Sequence, residues 1–189
     1  MPGAGRVRVV AGTAGGLWLT VPKGFRSRPT QDRVKQAIFS SLGDRVPEAR
    51  VLDLFSGTGS LGIEALSRGA ASCVFVESDR LAVEAIKANL AHCRLTGRVE
   101  RADAADFLRG WRGEGFDLVL VDPPYRREQG PLEKADWFQV VARCVVPGGV
   151  LVWEHHRSTP VAAHPPWQII REGHYGETSV TLLRRDPVE

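Results

Sequence analysis

The segment with the most specific chemistry is Asp122-Pro123-Pro124-Tyr125, which directly follows an apolar run at 116–121. Two consecutive prolines fix the backbone φ angle and remove two N–H donors, so this segment is stiff and presents carbonyl oxygens. The Asp122 carboxylate and the Pro123 carbonyl can accept the two N–H bonds of a planar amine on a heterocycle, and Tyr125 can stack on the ring. Holding the amine in this way localises its lone pair and stabilises the positive charge that develops during methyl transfer. The alternative is a proline-rich turn with a surface tyrosine.

A glycine-rich segment follows the apolar run at 51–55. Gly57, Gly59 and Gly62 match G-x-G-x-x-G, the pattern that binds dinucleotides at a strand-to-helix turn. Asp53 lies four residues before the first glycine, where its negative charge would face a pyrophosphate. A cation suits that position better, and the α-amino group of S-adenosylmethionine is one candidate. The segment therefore predicts a nucleoside cofactor, with NAD and S-adenosylmethionine both open.

Two further acids stand at the ends of the next two predicted strands. Glu77 comes 18 residues after Gly59 and can accept from both ribose hydroxyls, a sugar that both candidate cofactors carry. A surface acid that caps the next helix is the alternative. Asp103 can accept from an adenine amino group, and it is also a good N-cap for the helix that follows. Both acids favour an adenosine ligand without choosing between the cofactors.

Strand and helix patterns alternate from residue 50 onward. A closing antiparallel pair is predicted at 167–171 and 179–184. The other predicted strands are 51–55, 72–77, a weaker one around Val99, 116–121, and 150–153 after the Pro147-Gly148-Gly149 turn. Such alternation with β-branched, apolar strands predicts an α/β fold in which helices cover both faces of a mostly parallel sheet. Ligands bind at the carboxyl ends of the strands in these sheets, which is where the acids stand.

Residues 1–45 are predicted to form a small extension before this core. Runs at 6–11 and 16–21 predict a hairpin, and Thr30 is a plausible N-cap for a helix that ends at Gly43. Residues 1–35 hold seven basic side chains and one acid, whereas the remainder holds 18 basic and 21 acidic groups. This distribution is typical of an edge that binds a polyanion, although a solubilising surface explains it equally well.

Composition excludes several other classes of protein. A length of 189 residues corresponds to about one domain, and 43% apolar with 25% charged residues is typical of a globular chain. Apolar stretches stay below the roughly 18 residues of a membrane span, and the start does not resemble a secretory signal. The widely spaced Cys73, Cys93 and Cys144 indicate free thiols in a reducing cytoplasm, and the histidines form no pattern that favours a metal enzyme.

Together, Asp53–Gly59 and Asp122–Tyr125 resemble the class I, Rossmann-like methyltransferases of exocyclic amino groups, with their glycine motif and their [D/N]-P-P-[Y/F] motif. The likeness then extends over nearly the whole chain. Segments similar to the bacterial 16S rRNA guanine-N2 methyltransferases of the D family lie at 6–12, 28–35, 53–62 and 64–70. Their combination of R-P-T-x-D-R-V with D-L-F-[SA]-G-[ST]-G-x-L-G-x-E-A-L-S-R-G-A is highly specific. Residues 16–19, by contrast, lack the basic residues often seen in that family's second strand.

The resemblance implies a cytoplasmic, monomeric enzyme that uses S-adenosylmethionine to methylate one guanine of 16S rRNA, within a ribosomal assembly. It implies a methyltransferase domain over residues 46–189, with a seven-stranded sheet whose last strand is antiparallel. The catalytic residues expected from it are Asp122, Pro123, Pro124 and Tyr125. The expected cofactor-binding residues are Asp53, Ser56, Gly57, Thr58, Gly59, Glu77, Asp103, Ala104 and Thr30. The basic residues expected to contact RNA phosphates are Arg6, Arg8, Arg28, Arg33, Arg126 and Arg127.

Other functions remain open at this point. A DNA adenine-N6 methyltransferase uses a similar P-P-Y loop, but it normally needs more recognition sequence than the roughly 50 residues before the expected catalytic core. A catalytically silent RNA-binding module on the same fold is a second alternative. An NAD-dependent oxidoreductase is disfavoured, because nothing here resembles its hydride-transfer acid or base.

Overall fold

The computed structural model describes residues 7–22, 32–123, 135–159 and 161–187. Its strands are β1 (Val7–Arg8), β2 (Trp18–Leu19), β3 (Arg50–Leu54), β4 (Ser72–Glu77), β5 (Arg98–Arg101), β6 (Phe116–Val121), β7 (Val145–His156), β8 (Trp167–Tyr175) and β9 (Thr178–Arg185). Its helices are α1 (Asp32–Leu42), α2 (Ser60–Ser67), α3 (Arg80–His92), α4 (Ala104–Gly110) and α5 (Ala135–Ala142), with a short 3-10 turn at Gly43–Arg45. Within these residues, no helix has the length and apolar character needed to cross a membrane.

Seven strands form one sheet in the order β5-β4-β3-β6-β7-β9-β8. The five strands from β5 to β7 are parallel to one another, and β9 is antiparallel to both of its neighbours. This confirms the predicted α/β class, the parallel sheet and the antiparallel last strand. The chain first builds outward from β3 to β5 and then crosses to β6 on the other side of β3. The carboxyl ends of β3 and β6 therefore open the crevice in which such sheets bind ligands.

Alternate residues of each strand face opposite sides of the sheet, so two separate cores form. On one side, Val51, Phe75 and Leu118 pack among buried residues of α1, α2 and α3. On the other side, Leu52 and Val119 pack among buried residues of α4 and α5. The side chains of a strand such as β3 therefore alternate between these cores. Asp53, two residues after Val51, faces the core that contains α1, α2 and α3.

The predicted N-terminal hairpin is present, with Val7 opposite Leu19 and Arg8 opposite Trp18. Its apolar residues Val7, Val9 and Leu19 belong to the same core as α1, α2 and α3. The predicted helix follows as α1, while its proposed cap, Thr30, lies outside the described residues. The extension thus packs against the helices that border the crevice.

The composition of the Pro147-Gly148-Gly149 segment predicted a turn before a strand, and this prediction is wrong. The segment lies inside β7, where the pairing with β6 shifts between Phe116 opposite Val145 and Leu118 opposite Val150. Gly148 has a φ of +81°, a conformation that glycine adopts without steric cost. The glycines therefore accommodate a bulge in a long strand rather than a turn before a short one.

Candidate functional site

Acidic residues line the carboxyl ends of four neighbouring parallel strands. Asp53 and Glu77 belong to β3 and β4, Asp122 directly follows β6, and Glu154 lies on β7, one residue beyond its pairing with the last residue of β6. Alternation along the strands places Asp53, Glu77 and Glu154 on the face that also carries α1, α2 and α3. The crevice predicted from the sequence is therefore an acidic one, and it is suited to a cationic ligand.

Asp53 lies one residue before the end of β3 and is 1% exposed. Its Oδ2 accepts a hydrogen bond of 3.0 Å from the Gly62 backbone N–H. The pKa of Asp53 is raised to about 8, mainly by burial and also by the negative charges of Asp122 and Glu77, while the Gly62 bond opposes the rise. A cation placed beside Asp53 would favour the ionised form of its carboxyl group. The charges of Asp122 and Glu77 thus act on the same buried carboxyl group.

The glycine-rich segment forms a tight turn between β3 and α2. Gly57 and Gly59 have φ angles of +55° and +80°, in the left-handed region that favours glycine. Phe55 has a φ of +58°, which is strained for a bulky residue and is held by the surrounding structure. At Gly62 a Cβ atom would lie 2.3 Å from the ring of Phe75, so only glycine lets α2 pack this closely on the sheet. The pattern is therefore a tight strand-to-helix turn, in which the Gly59 N–H closes on the Ser56 carbonyl at 2.7 Å.

Glu77 stabilises the glycine-rich turn through hydrogen bonds from backbone N–H groups. Its Oε2 accepts from the Gly57 backbone N–H at 2.9 Å, and its Oε1 accepts from the Asp79 backbone N–H at 2.9 Å. The N-cap of α3 is Asp79, whose carboxylate accepts from the Ala82 backbone N–H. The alternative interpretation of Glu77 as the cap of that helix is therefore wrong. A ribose contact by Glu77 stays a prediction.

Two predicted cofactor residues have mainly structural contacts. The Ser56 hydroxyl donates to the Asp53 carbonyl at 2.7 Å and accepts from the Val76 backbone N–H at 3.0 Å, so it bridges β3 and β4. Asp103 is exposed and caps α4 through bonds from the next helical N–H groups at 2.9 and 3.1 Å, while the neighbouring Ala104 is buried in the second core. The cap expected as the alternative for Asp103 is thus present, and its contact with adenine stays a prediction.

The catalytic segment is described only at its start. Asp122 and Pro123 are half-buried, beside the end of β7, and the charge of Asp122 acts on Asp53. The exposed Arg8 donates to Asp32 at 2.9 Å, and Arg33 is exposed on α1. The remaining predicted site residues lie outside the described residues and are Pro124, Tyr125, Thr30, Arg6, Arg28, Arg126 and Arg127.

The residues of the crevice fit S-adenosylmethionine. This cofactor carries a sulfonium and an ammonium group, and both match an acidic wall. At the start of α2, Ser60 Oγ is buried and has no hydrogen-bond partner among the described residues. Buried hydroxyls are normally paired, and the first N–H groups of a helix have no partner within it. A polar ligand at the start of α2 would satisfy both.

The sequence interpretation missed three buried polar residues near the site. Glu154 follows the carboxyl-end rule for parallel sheets and could have been found by it. Glu64 and Asn89 lie inside helices, where a polar side chain is expected to face solvent, so no sequence signal distinguished them. Glu64 is fully buried and accepts from the Val10 and Ala11 backbone N–H groups at 2.7 and 3.0 Å. It therefore anchors the extension to α2.

Comparisons with known proteins agree with this geometry. The model of the family described as Conserved hypothetical protein 95 matches residues 7–184. Ribosomal RNA small subunit methyltransferase D of Haemophilus influenzae is 31% identical over 184 residues, which cover 95% of this chain and 94% of that protein. The protein of the same name from Escherichia coli strain K12 is 40% identical over 126 residues, or 66% of this chain and 63% of that protein.

A solved structure extends the agreement to the fold. Hypothetical protein TTHA0928 of Thermus thermophilus superposes with a TM-score of 0.75 at 32% identity, and the match covers 93% of this chain and 98% of that one. The family model spans both the glycine-rich turn and the segment after β6. The resemblance drawn from the sequence is thereby confirmed, and the chain belongs to the Conserved hypothetical protein 95 family of class I methyltransferases, which includes the ribosomal RNA small subunit methyltransferases D.

Proposed function

We propose that this chain transfers the methyl group of S-adenosylmethionine to the exocyclic N2 amino group of a guanine in 16S rRNA. The relatives named ribosomal RNA small subunit methyltransferase D support the rRNA substrate. The observation that carries the proposal is the placement of Asp53 and Asp122 at the carboxyl ends of neighbouring parallel strands, where Asp53 lies opposite Leu120, two residues before Asp122. One wall suits a cationic cofactor, and the other suits a planar amine.

The first wall holds the cofactor. Asp53 and Glu77 provide the negative charge, and the turn from Gly57 to Gly59 lets the ligand approach the backbone closely. Asp103 lies at the end of the next strand, where it can meet the adenine. S-adenosylmethionine supplies a methyl group on a positively charged sulfur, and the acidic crevice favours binding of that charge.

The second wall positions the amine. A guanine N2 nitrogen is a poor nucleophile because its lone pair is delocalised into the ring. The Asp122 carboxylate and the Pro123 carbonyl accept its two N–H bonds, which directs the lone pair toward the methyl carbon and stabilises the growing positive charge. As the N–C bond forms, the sulfur keeps the electron pair of the broken S–C bond. The methylated amine then loses one proton to Asp122 or to water.

Access of the guanine requires that it be unstacked or already exposed in an rRNA loop. The basic residues predicted to contact RNA then hold backbone phosphates and set the orientation of the RNA without reading its sequence. Arg8 and Arg33 are the two of these that the structure describes, and both are exposed. We place the enzyme in the cytoplasm, as a monomer that acts on a ribosomal protein–RNA assembly.

The test supplies labelled S-adenosylmethionine to unmethylated small subunits, to free 16S rRNA and to duplex DNA in parallel. We expect label on the N2 atom of one guanine, with the small subunit as the best substrate, and labelling at least about 100-fold slower with the Asp122→Ala variant. Label that appears only in DNA would overturn the assignment of rRNA as the substrate. Binding of small subunits without label in any arm would favour the silent RNA-binding module instead.

A further inference from the structure

One buried amide joins the N-terminal extension to the glycine-rich turn. Asn89 lies on α3 and is 1% exposed. Its Oδ1 accepts from the Thr20 backbone N–H at 2.7 Å, and its Nδ2 donates to the carbonyl oxygens of Thr20 at 3.1 Å and Thr58 at 3.0 Å. A single side chain thus pairs with both backbone groups of a residue just after β2 and with the backbone between the two left-handed glycines.

We propose that Asn89 is a positioning residue for the cofactor, a role that rests on the proposed function. The peptide group between Thr58 and Gly59 is held at both ends. Its N–H donates to the Ser56 carbonyl at 2.7 Å, and its carbonyl accepts from Asn89. Because glycines flank Thr58, little else in the local backbone resists rotation of this peptide. The Asn89 amide therefore keeps the turn in the conformation in which the Gly57 N–H holds the Glu77 carboxylate at the crevice.

The same amide makes this conformation depend on the docked extension. Asn89 keeps its orientation by bonding both backbone groups of Thr20. If the extension left its place, two of the three hydrogen bonds of Asn89 would be lost. Nδ2 would then no longer be directed at Thr58. Cofactor affinity and docking of the basic extension are consequently coupled, and by reciprocity each strengthens the other.

Ser67 provides a matched control, because it also holds the extension but is distant from the turn. Its hydroxyl accepts from the Ala14 backbone N–H at 2.9 Å and donates to the Ala11 carbonyl at 2.6 Å. It is 2% exposed, close to the 1% of Asn89. It lies at the last residue of α2, whereas the glycine-rich turn precedes the first. Loss of its hydroxyl removes extension contacts without touching Thr58.

The experiment compares Asn89→Asp, Asn89→Ala and Ser67→Ala in the full chain. Asn89→Asp keeps the size and the acceptor but replaces the donor with an oxygen that repels the Thr58 carbonyl. Calorimetric titration with S-adenosylhomocysteine, without RNA, gives the affinity, and thermal unfolding gives the folded fraction. We expect both Asn89 variants to bind about tenfold more weakly or worse, the loss expected for one broken hydrogen bond to a positioned group. In Ser67→Ala the bonds of Glu64 and Asn89 to the extension stay in place, so the extension remains docked. This variant should therefore bind within about twofold of the parent despite a similar loss in Tm.

Each outcome decides the proposal. An unchanged affinity in folded Asn89 variants would overturn it, as would equal losses in the Asn89 and Ser67 variants, since those would reflect general destabilisation. If both Asn89 variants unfold, Asn89→Ser retains a hydroxyl donor and should bind with intermediate affinity. Binding by the parent chain separates this inference from the proposed function. A parent chain that binds no S-adenosylhomocysteine overturns both. Equal binding by the parent and the Asn89 variants overturns only the inference.

Discussion

Asp53 and Asp122 stand on neighbouring strands and face one crevice, yet their surroundings differ. Asp53 is 1% exposed, is bonded by the Gly62 N–H, and has a pKa raised to about 8. Asp122 is half-buried at the start of a proline-rich segment. A carboxyl group held in the interior gains most from a cation that stays with it, whereas one at the mouth meets a substrate that must enter and leave. The comparison separates cofactor binding from methyl transfer.

The largest effect is expected from Asp122→Ala. Removal of the carboxylate leaves one N–H of the target amine without its acceptor and removes the charge that stabilises the transition state. We expect a fall of about 100-fold or more in kcat for methyl transfer to small subunits, with affinity for S-adenosylhomocysteine within about twofold. Asp122→Asn keeps one acceptor oxygen and should lose less. A large loss of cofactor affinity in either variant would contradict the separation of the two walls.

Asp53→Asn addresses the opposite wall. At pH 6.5 the Asp53 carboxyl is mostly protonated because its pKa is about 8, so a cation that binds beside it must displace a proton. Titration with S-adenosylmethionine in buffers of different ionisation enthalpy should show proton release by the parent and none by Asp53→Asn. The variant should also bind about tenfold more weakly, because it lacks the charge. Equal proton release in both would place the cation elsewhere.

The raised pKa of Asp53 also predicts how stability changes with pH. The folded state holds this proton up to about pH 8, whereas the unfolded chain releases it near the ordinary value of 3.8. The contribution to stability is complete below the unfolded value and is lost as the pH rises through 8. Denaturant unfolding at pH 5 and pH 8 should therefore show a larger decrease in the parent than in Asp53→Asn. A parallel decrease in the two proteins would show that Asp53 is charged in the folded state.

Gly62→Ala disturbs the group that holds Asp53 without changing any charge. The added Cβ would lie 2.3 Å from the Phe75 ring, 2.8 Å from Cys73 Sγ and 2.9 Å from Asp53 Oδ2. Overpacking of this kind costs about 1–3 kcal/mol in the free energy of unfolding, measured by denaturant titration. Gly110→Ala is the control, since nothing lies within 4 Å of its Cβ position and alanine favours the helix. Equal stability of the two variants would show that α2 can move away from the sheet.

Strand and helix alternation could be predicted because each element carries its own local signal. Apolar runs end at turn residues, and Asp79 and Asp103 cap the helices that the sequence assigned to them. The Pro147-Gly148-Gly149 segment misled because a bulge and a turn use the same residues, and only pairing with β6 separates them. Glu64 and Asn89 could not be found, since their backbone partners belong to distant segments, 54 residues away for the Val10 bond of Glu64 and 69 and 31 residues away for the Thr20 and Thr58 bonds of Asn89. Which side of a helix is buried depends on that tertiary contact.

The smallest effects are expected from substitutions of exposed arginines, which lie outside the buried and half-buried carboxylates compared above. Arg8 and Arg33 are both exposed, but Arg8 pairs with Asp32 at 2.9 Å, whereas Arg33 has no ion pair within the described part of the chain. An arginine that already neutralises an acid contributes less to phosphate binding. Arg33→Ala should therefore lower the slope of log affinity against log salt by about 0.7 for single-stranded RNA, and Arg8→Ala should lower it less. Titration of labelled 16S rRNA fragments at several salt concentrations measures both slopes.

Because an exposed ion pair stabilises by about 1 kcal/mol at most, Arg8→Ala should scarcely change the Tm, so any change in slope reports RNA contact rather than unfolding. A steeper loss for Arg8 than for Arg33 would mean that RNA displaces Asp32 from its partner.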